Sequence, residues 1–371
     1  MIPVSEPLLG ELEAEYALEC IRTGWISSEG AWVGRFESAW ASYCGVEHGV
    51  AVSSGTAALF AAAAAVDLGP GDEVIMPTFT IISCAHAVVA TGATPVLVDS
   101  EPDTWCLAVE QIADRITDRT RAIMPVHMYG HPVDMDPIWK LASKHGLAVL
   151  EDAAEAHGAR YRGRPAGSLG DLACFSFYAN KIITTGEGGM VVTSDSSLAE
   201  KVRSYVNLGF RPERRFYHTE VGYNHRLTSV QAAIGLGQLA DIDRRVERKR
   251  EIGRRYVSLL SDIEGLALPV EMPWALNVYW MVGIVVDEAI HRIGASELSA
   301  RLAERGISTR PFFLGMHEQP VFHRQGLFEG ERYPIAETLG RSGIYLPSGV
   351  GLSDSDVDRV SEAVHECLEV V

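Results

Sequence analysis

Short apolar runs alternate with segments of helical spacing through the first two-thirds of the chain. A strand, a helix and another strand in succession need a crossover connection, and crossovers build largely parallel sheets with helices on both faces. The spacing predicts strands at Val50–Val52, Glu73–Met76 (ended by Pro77), Thr94–Val98 and Ala122–Val126. Further strands are expected at Leu147–Leu150, running into Glu151-Asp152, and at Leu172–Phe177 and Met190–Thr193. Helices are expected at Thr56–Val66 and Pro137–His145. The fold class is therefore α/β.

A chain of 371 residues exceeds what one typical core organises, so two packed units are expected. One helical run is read from Ser229 to about Leu260, highly charged from Asp241 to Arg255, as the connection between them. The boundary is placed so that residues 1–245 form a large unit and 246–371 a smaller C-terminal α/β unit, on which the N-terminal segment packs. The smaller unit reads as a strand at Val278–Val286, a helix at Ala295–Glu304, a strand at Gly343–Leu346 and a helix at Asp354–Leu368. Between them Pro311–Arg324 reads as an irregular loop, the kind of segment that borders an active site.

The formal net charge of −17 repels phosphate backbones, so no nucleic-acid partner is expected. Six cysteines without a C-x-x-C pair offer neither a zinc site nor a disulfide framework, and reduced thiols of a cytoplasmic protein are the expectation. The N-terminus shows no signal-peptide pattern, and the uncharged stretch Val74–Val98 carries Pro77 and Pro95, so no membrane association is expected. The chain contains no H-E-x-x-H, and no metal site is expected. Nor does it contain a G-x-G-x-x-G after the first strand or a G-x-x-x-x-G-K-[ST], which argues against Rossmann and P-loop nucleotide binding. The basic run Arg244–Arg250 alternates with acids and reads as a solvated helix face.

Three segments carry the chemistry. Ser53-Ser54-Gly55-Thr56 lies between a strand and an alanine-rich helix. Helix-start N–H groups with a hydroxyl suit a phosphate; the same residues also suit a plain turn with Thr56 as helix cap. Glu151-Asp152 ends a strand, where ligands of open α/β sheets bind. Asp152 there either pairs with a protonated ring nitrogen or caps a helix. Lys181 follows the aromatic-rich Phe175–Tyr178 and precedes the glycine-rich Thr184–Gly189. A buried lysine is nucleophilic toward an aldehyde; the alternative is a surface lysine. A phosphate cradle, a pyridinium acid and a Schiff-base lysine are together what a pyridoxal 5'-phosphate (PLP) enzyme needs.

The chain also resembles the DegT/DnrJ/EryC1/StrS sugar aminotransferases. The similarity runs from Trp25-Ile26-Ser27-Ser28 through Gly55-Thr56, Pro125–Gly130, Glu151–Ala156, Gly167–Asp171 and Asn180–Gly189 to Gly222–Arg226. Within that group it is most similar to the GDP-perosamine synthases, through Trp25–Ser28, Pro132–Asp136 and Asn180–Gly189. The resemblance implies PLP fold type I, the aspartate aminotransferase-like architecture, with a mixed, mostly parallel sheet in the large domain. It implies Lys181 as the Schiff-base lysine and Asp152 as partner of the ring nitrogen. It implies Glu155 near the ring, Phe79 stacked on it (or packed in the core), and Gly55, Thr56 and Ser176 on the phosphate. Asn224 would reach the phosphate of a second subunit, making the active protein a homodimer. The implied reaction moves the amino group of L-glutamate to a nucleotide-linked 4-keto-6-deoxyhexose. A dTDP-sugar, a 3-keto sugar or an aminocyclitol is the alternative acceptor, and a non-catalytic PLP-binding protein the alternative class. Trp25 and Ser27 are read as sugar or nucleotide contacts, and Arg310 and His317 either as such contacts or as ordinary surface residues.

Overall fold

The computed structural model describes residues 1–210, 214 and 216–369. Its centre is a seven-stranded sheet. The strands are β1 (His48–Val52), β2 (Glu73–Pro77), β3 (Thr94–Val98), β4 (Thr120–Ile123), β5 (Ala148–Asp152), β6 (Leu172–Ser176) and β7 (Gly189–Thr193). Their order is β1-β7-β6-β5-β4-β2-β3. Pairing is parallel from β6 to β3, and β7 runs antiparallel to both its neighbours. The sheet is thus mixed and mostly parallel. Strands β2, β6 and β7 are buried along their whole length, which is why they read as unbroken apolar runs.

The order of strand addition reverses at β2: β3 lies on one flank and β4 on the other, all three parallel. In open α/β sheets, ligands bind at the carboxyl ends of strands near such a reversal. The Gly55–Ala65 helix leads away from β1. Its alanines present no bulk, so the helix lies close against β6 and β7. Ser54, not Thr56, caps it: Ser54 Oγ accepts from Ala57 N–H at 3.1 Å.

A second hydrophobic core gathers Ile252, Tyr256, Leu260, Val282, Ile284, Leu298, Leu302 and Val364. It surrounds a four-stranded antiparallel sheet made by β8 (Leu266–Ala267), β9 (Val282–Val286), β10 (Arg310–Pro311) and β11 (Gly343–Leu346). Ile2 joins this core and bridges to Ile307. The expected single run from Ser229 to Leu260 is two helices, Ser229–Leu239 and Ile242–Leu260, separated at Ala240-Asp241. Asp241 at the start of the second helix is favoured by the helix dipole. Along that helix Ile242 and Val246 belong to the first core and Ile252, Tyr256 and Leu260 to the second.

Its basic run is not all solvated. Arg245 and Lys249, four residues apart and so on one helix face, are both buried. Arg245 meets Glu13 at 3.4 Å and donates to Leu8 O at 3.0 Å, while Lys249 donates to Ser348 O. Charge counting cannot reveal this, because helical phase and not composition decides which cations turn inward. All six cysteines are free and buried.

Candidate active site

The carboxyl ends of β5 and β6 and the start of the Gly55–Ala65 helix open onto a cavity of about 300 Å³. Of the two acids ending β5, only Asp152 lines it. Successive strand residues face opposite ways. Glu151 therefore points away, to His127 Nε2 at 3.0 Å and to the Leu169 N–H at 2.9 Å. Asp152 is 2% exposed and ends a strand rather than capping a helix. Its Oδ1 accepts from Ala154 N–H and its Oδ2 from the Cys84 thiol, both at 3.0 Å.

Lys181 reaches the cavity from a loop that folds back on β6. Phe177 O accepts both Thr185 N–H at 2.9 Å and the Thr184 hydroxyl at 2.8 Å, which closes the loop. Lys181 N–H donates to Tyr178 O at 2.9 Å. The surrounding protein lowers the Lys181 pKa, against the pull of Glu155 and Asp152. Glu155 lines the same cavity, and its Oε2 accepts from Tyr129 N–H at 2.7 Å. Burial raises its carboxyl to about 7, despite the attraction of Lys181.

Gly55, Thr56 and Ser176 lie together at one end. A Cβ at Gly55 would stand 2.7 Å from Ser176 Cβ, so only glycine lets the helix start approach β6 this closely. Thr56 Oγ1 is 2.9 Å from Ser83 Oγ. The first N–H groups of a helix lack partners within it and point toward such a space. An anion fits these groups, and the carboxylates of Asp152 and Glu155 in the same cavity suit a ring bearing a proton.

Phe79 is not among the residues lining the cavity; it is 0% exposed and packs on Tyr129, Phe312 and Phe313, the core position that was its alternative. The same turn presents Thr80 and Ile81 to the cavity instead. His317 is likewise buried, with Nδ1 2.8 Å from Thr78 Oγ1 and Nε2 3.5 Å from Glu337, and serves the core rather than a mobile loop. That stretch is not wholly irregular: it holds a turn of 3-10 helix at Met316–Glu318 and a short helix at Pro320–His323. Arg310 is exposed on β10, opposite Tyr345, which lines the cavity. Trp25 (55% exposed), Ser27 and Asn224 lie on the surface and are not among the residues lining the cavity.

Sequence reasoning missed Ser83, Trp280 and Tyr345, which all line the cavity, as does Phe313 from the segment expected to border an active site. Ser83 lies in the Val74–Val98 stretch, where Phe79 alone is read as a site residue. Trp280 fell inside a strand expected from Val278, but β9 begins at Val282. Tyr279, at φ 48°, turns the chain out of extended geometry just before it. The aromatic pair Tyr279-Trp280 ahead of an apolar run was the available signal.

Residues 7–365 match the DegT/DnrJ/EryC1/StrS aminotransferase family. The chain belongs to that family. It is 44% identical to a GDP-perosamine synthase of Caulobacter vibrioides, over 99% of this chain and 98% of that one. A dTDP-3-amino-3,4,6-trideoxy-alpha-D-glucose transaminase of Streptomyces venezuelae is 40% identical, over 91% of this chain and 87% of that one. The crystal structure of S. venezuelae DesV in complex with a ketimine intermediate superposes with a TM-score of 0.91 at 38% identity, covering 100% of both chains. The protein is thus an enzyme with the fold of PLP-dependent sugar aminotransferases. Among the described residues, no helix is long and apolar enough to cross a membrane.

Proposed function

We propose that this enzyme binds PLP through Lys181 and transfers the amino group of L-glutamate to a nucleotide-linked 4-keto-6-deoxyhexose, as a GDP-perosamine synthase does. One observation carries the reading: the amine of Lys181, the carboxylate of Asp152 and the helix start at Gly55 converge on one cavity. When bound, PLP supplies an aldehyde that condenses with amines and a ring that takes up the electron pair left by Cα deprotonation.

The chain's own residues do the rest. N–H groups at Gly55 and Thr56, with the Ser176 hydroxyl, bind the phosphate. Asp152, oriented by two donors, keeps the ring nitrogen protonated. Glu155 and Ile81, which also line the cavity, would flank the ring. Lys181, whose pKa burial lowers, would take up the proton at the substrate Cα and hold it as an ammonium until it is returned. Arg310, exposed at the rim near Tyr345, offers a cation to the acceptor's diphosphate.

The acceptor class rests on the 44% identity to a named GDP-perosamine synthase. Its test is product analysis with L-glutamate and a panel of keto sugars carrying GDP, dTDP or UDP. Amination of the GDP-4-keto-6-deoxyhexose is expected. Preference for a dTDP-sugar would move the enzyme toward its S. venezuelae relative, and Lys181→Ala retaining full turnover would overturn the assignment.

The homodimer belongs to the same proposal. Large apolar side chains are exposed at Leu18, Ile21, Trp25 and Ile26, and again at Val221 and Tyr223, just before Asn224. Exposed apolar groups of this size mark contact surfaces. Trp25, Ser27 and Asn224 then belong to a site shared across the interface. Mixing inactive Lys181→Ala and Asn224→Ala subunits is expected to restore roughly a quarter of the sites, because each mixed dimer regains one intact site. The free, buried thiols fit a reducing cytoplasm.

A further inference from the structure

The proposed reaction leaves the Lys181 amine free for part of every cycle. A charged group on a flexible four-carbon stem then needs a place to wait. The structure shows one: Lys181 Nζ lies 3.7 Å from the centroid of the Trp280 indole. Ammonium groups within about 6 Å of an aromatic face are attracted by its quadrupole. An aromatic face cannot accept the proton, so it holds the cation without neutralising it.

The indole is fixed rather than merely buried. Its Nε1–H donates to Asn180 O at 2.9 Å, which ties the ring to the turn carrying Lys181. Trp280 follows Tyr279, whose φ of 48° is unfavourable for an aromatic residue. That conformation is maintained by Asn277, whose Oδ1 accepts from Tyr279 N–H at 2.8 Å and whose Nδ2 donates to Val270 O at 3.0 Å. Gly130 packs closely against this turn: a Cβ there would stand 2.9 Å from Trp280 N, so only glycine admits the approach. Strain of this kind persists where surrounding structure forces a side chain into one direction. A tryptophan serving only to fill a core needs neither the strained turn nor a hydrogen bond beside Lys181.

We infer that Trp280 is a positioning residue that holds the free Lys181 ammonium over its indole face and keeps it within reach of the substrate Cα. The inference rests on the reading of Lys181 as the cofactor-binding lysine. Asp152 and Glu155 attract the same ammonium from the cavity side, and His157 is kept neutral by burial. Behind Lys181 a small cavity is lined by Lys249, Arg245 and Glu6 as well as Trp280, so cations face it from that side.

The test uses the full-length enzyme converted by excess L-glutamate to its amino-cofactor form, where Lys181 is free. The rate of reductive methylation of Lys181 is followed against pH by peptide mass spectrometry. In Trp280→Leu the midpoint is expected to fall by about one unit, because the ammonium loses its aromatic partner. Trp280→Phe, which keeps a face, is expected to stay within about half a unit. Stopped-flow rates of the glutamate half-reaction are expected to fall about tenfold in Trp280→Leu with KM little changed. If Trp280→Leu does not fold, uniform fluorotryptophan labelling weakens the ring quadrupole without changing its shape, and the midpoint is expected to fall with each added fluorine. A midpoint unchanged in Trp280→Leu, or unchanged by fluorination, overturns the inference. Failure of the parent reading looks different: borohydride reduction of the wild-type enzyme with PLP would then fix the cofactor to a residue other than Lys181.

Discussion

The Cys84 thiol donates to Asp152 Oδ2 at 3.0 Å while the Ala154 N–H donates to Oδ1 at the same distance. The two donors come from different elements, the Ser83–Ala90 helix and the turn after β5, so together they fix the rotation of the carboxylate. Burial and the adjacent Asp152 push the Cys84 thiol well up, which keeps it protonated and a donor. Losing one such bond is worth about 1 kcal/mol, or about fivefold in rate. Cys84→Ala is expected to lower kcat by about that factor through a loosened Asp152, and Cys84→Ser to restore it. Steady-state kinetics of the pair decide the matter: equal loss in both variants would show that the thiol is only filling space.

Gly55 sets how closely the helix start approaches β6. Alanine there places its Cβ 2.7 Å from Ser176 Cβ and 3.1 Å from Ser176 Oγ, and neither backbone has an obvious way to give. Overpacking of this kind costs on the order of 1–3 kcal/mol. Because the displaced groups are those assigned to the phosphate, Gly55→Ala is expected to weaken PLP binding by at least about tenfold, with a smaller effect on the melting temperature of the cofactor-free protein. Spectrophotometric titration with PLP and a thermal melt separate the two.

Most of the sheet was legible because its strands are short, apolar and punctuated by Pro and Gly. Thr94–Val98, Ala295–Glu304 and Gly343–Leu346 coincide with the expected spans. The residues that converge on the cavity were legible where they sit at strand ends, as Asp152 and Ser176 do. What stayed hidden depends on direction rather than type. Phe79 and Ile81 lie two residues apart in one turn, and nothing local says that the aromatic goes to the core and the aliphatic to the cavity. Trp280 hid for a related reason: a left-handed Tyr279 turns an apparent strand into a turn.

Glu155 gives the site a titration near neutrality. Burial raises its folded pKa to about 7 from the usual 4.5, Asp152 pushes the same way, and Lys181 and the Tyr129 N–H oppose them. Between these values the folded chain holds a proton that the unfolded chain has released, so stability falls as pH rises through the window. In the cofactor-free protein, the melting temperature relative to Glu155→Gln is expected to drop from about pH 5 to about pH 7 and then level off. Parallel curves for the two proteins would place the carboxylate's titration elsewhere. The same substitution is expected to remove an ionisation near pH 7 from kcat/KM.

Lys249 runs the other way. It is buried on the inner face of the Ile242–Leu260 helix, donates to Ser348 O, and burial lowers its pKa from 10.5 to about 7. Between those values the unfolded chain keeps a proton that the folded chain has given up, so stability rises with pH across that range. Below about pH 7 the folded state carries a buried ammonium with no carboxylate paired to it in the described structure, at a penalty on the order of a few kcal/mol. Lys249→Met keeps the length and apolar stem and removes the charge. It is expected to stabilise the protein most at pH 6, with the advantage shrinking as pH rises toward 10 and the wild-type lysine becomes neutral. Urea unfolding at pH 6, 8 and 10 measures this directly. A variant less stable than wild type at pH 6 would mean that the Ser348 hydrogen bond, together with the electrostatics of the small cavity behind Lys181, outweighs the burial of the charge.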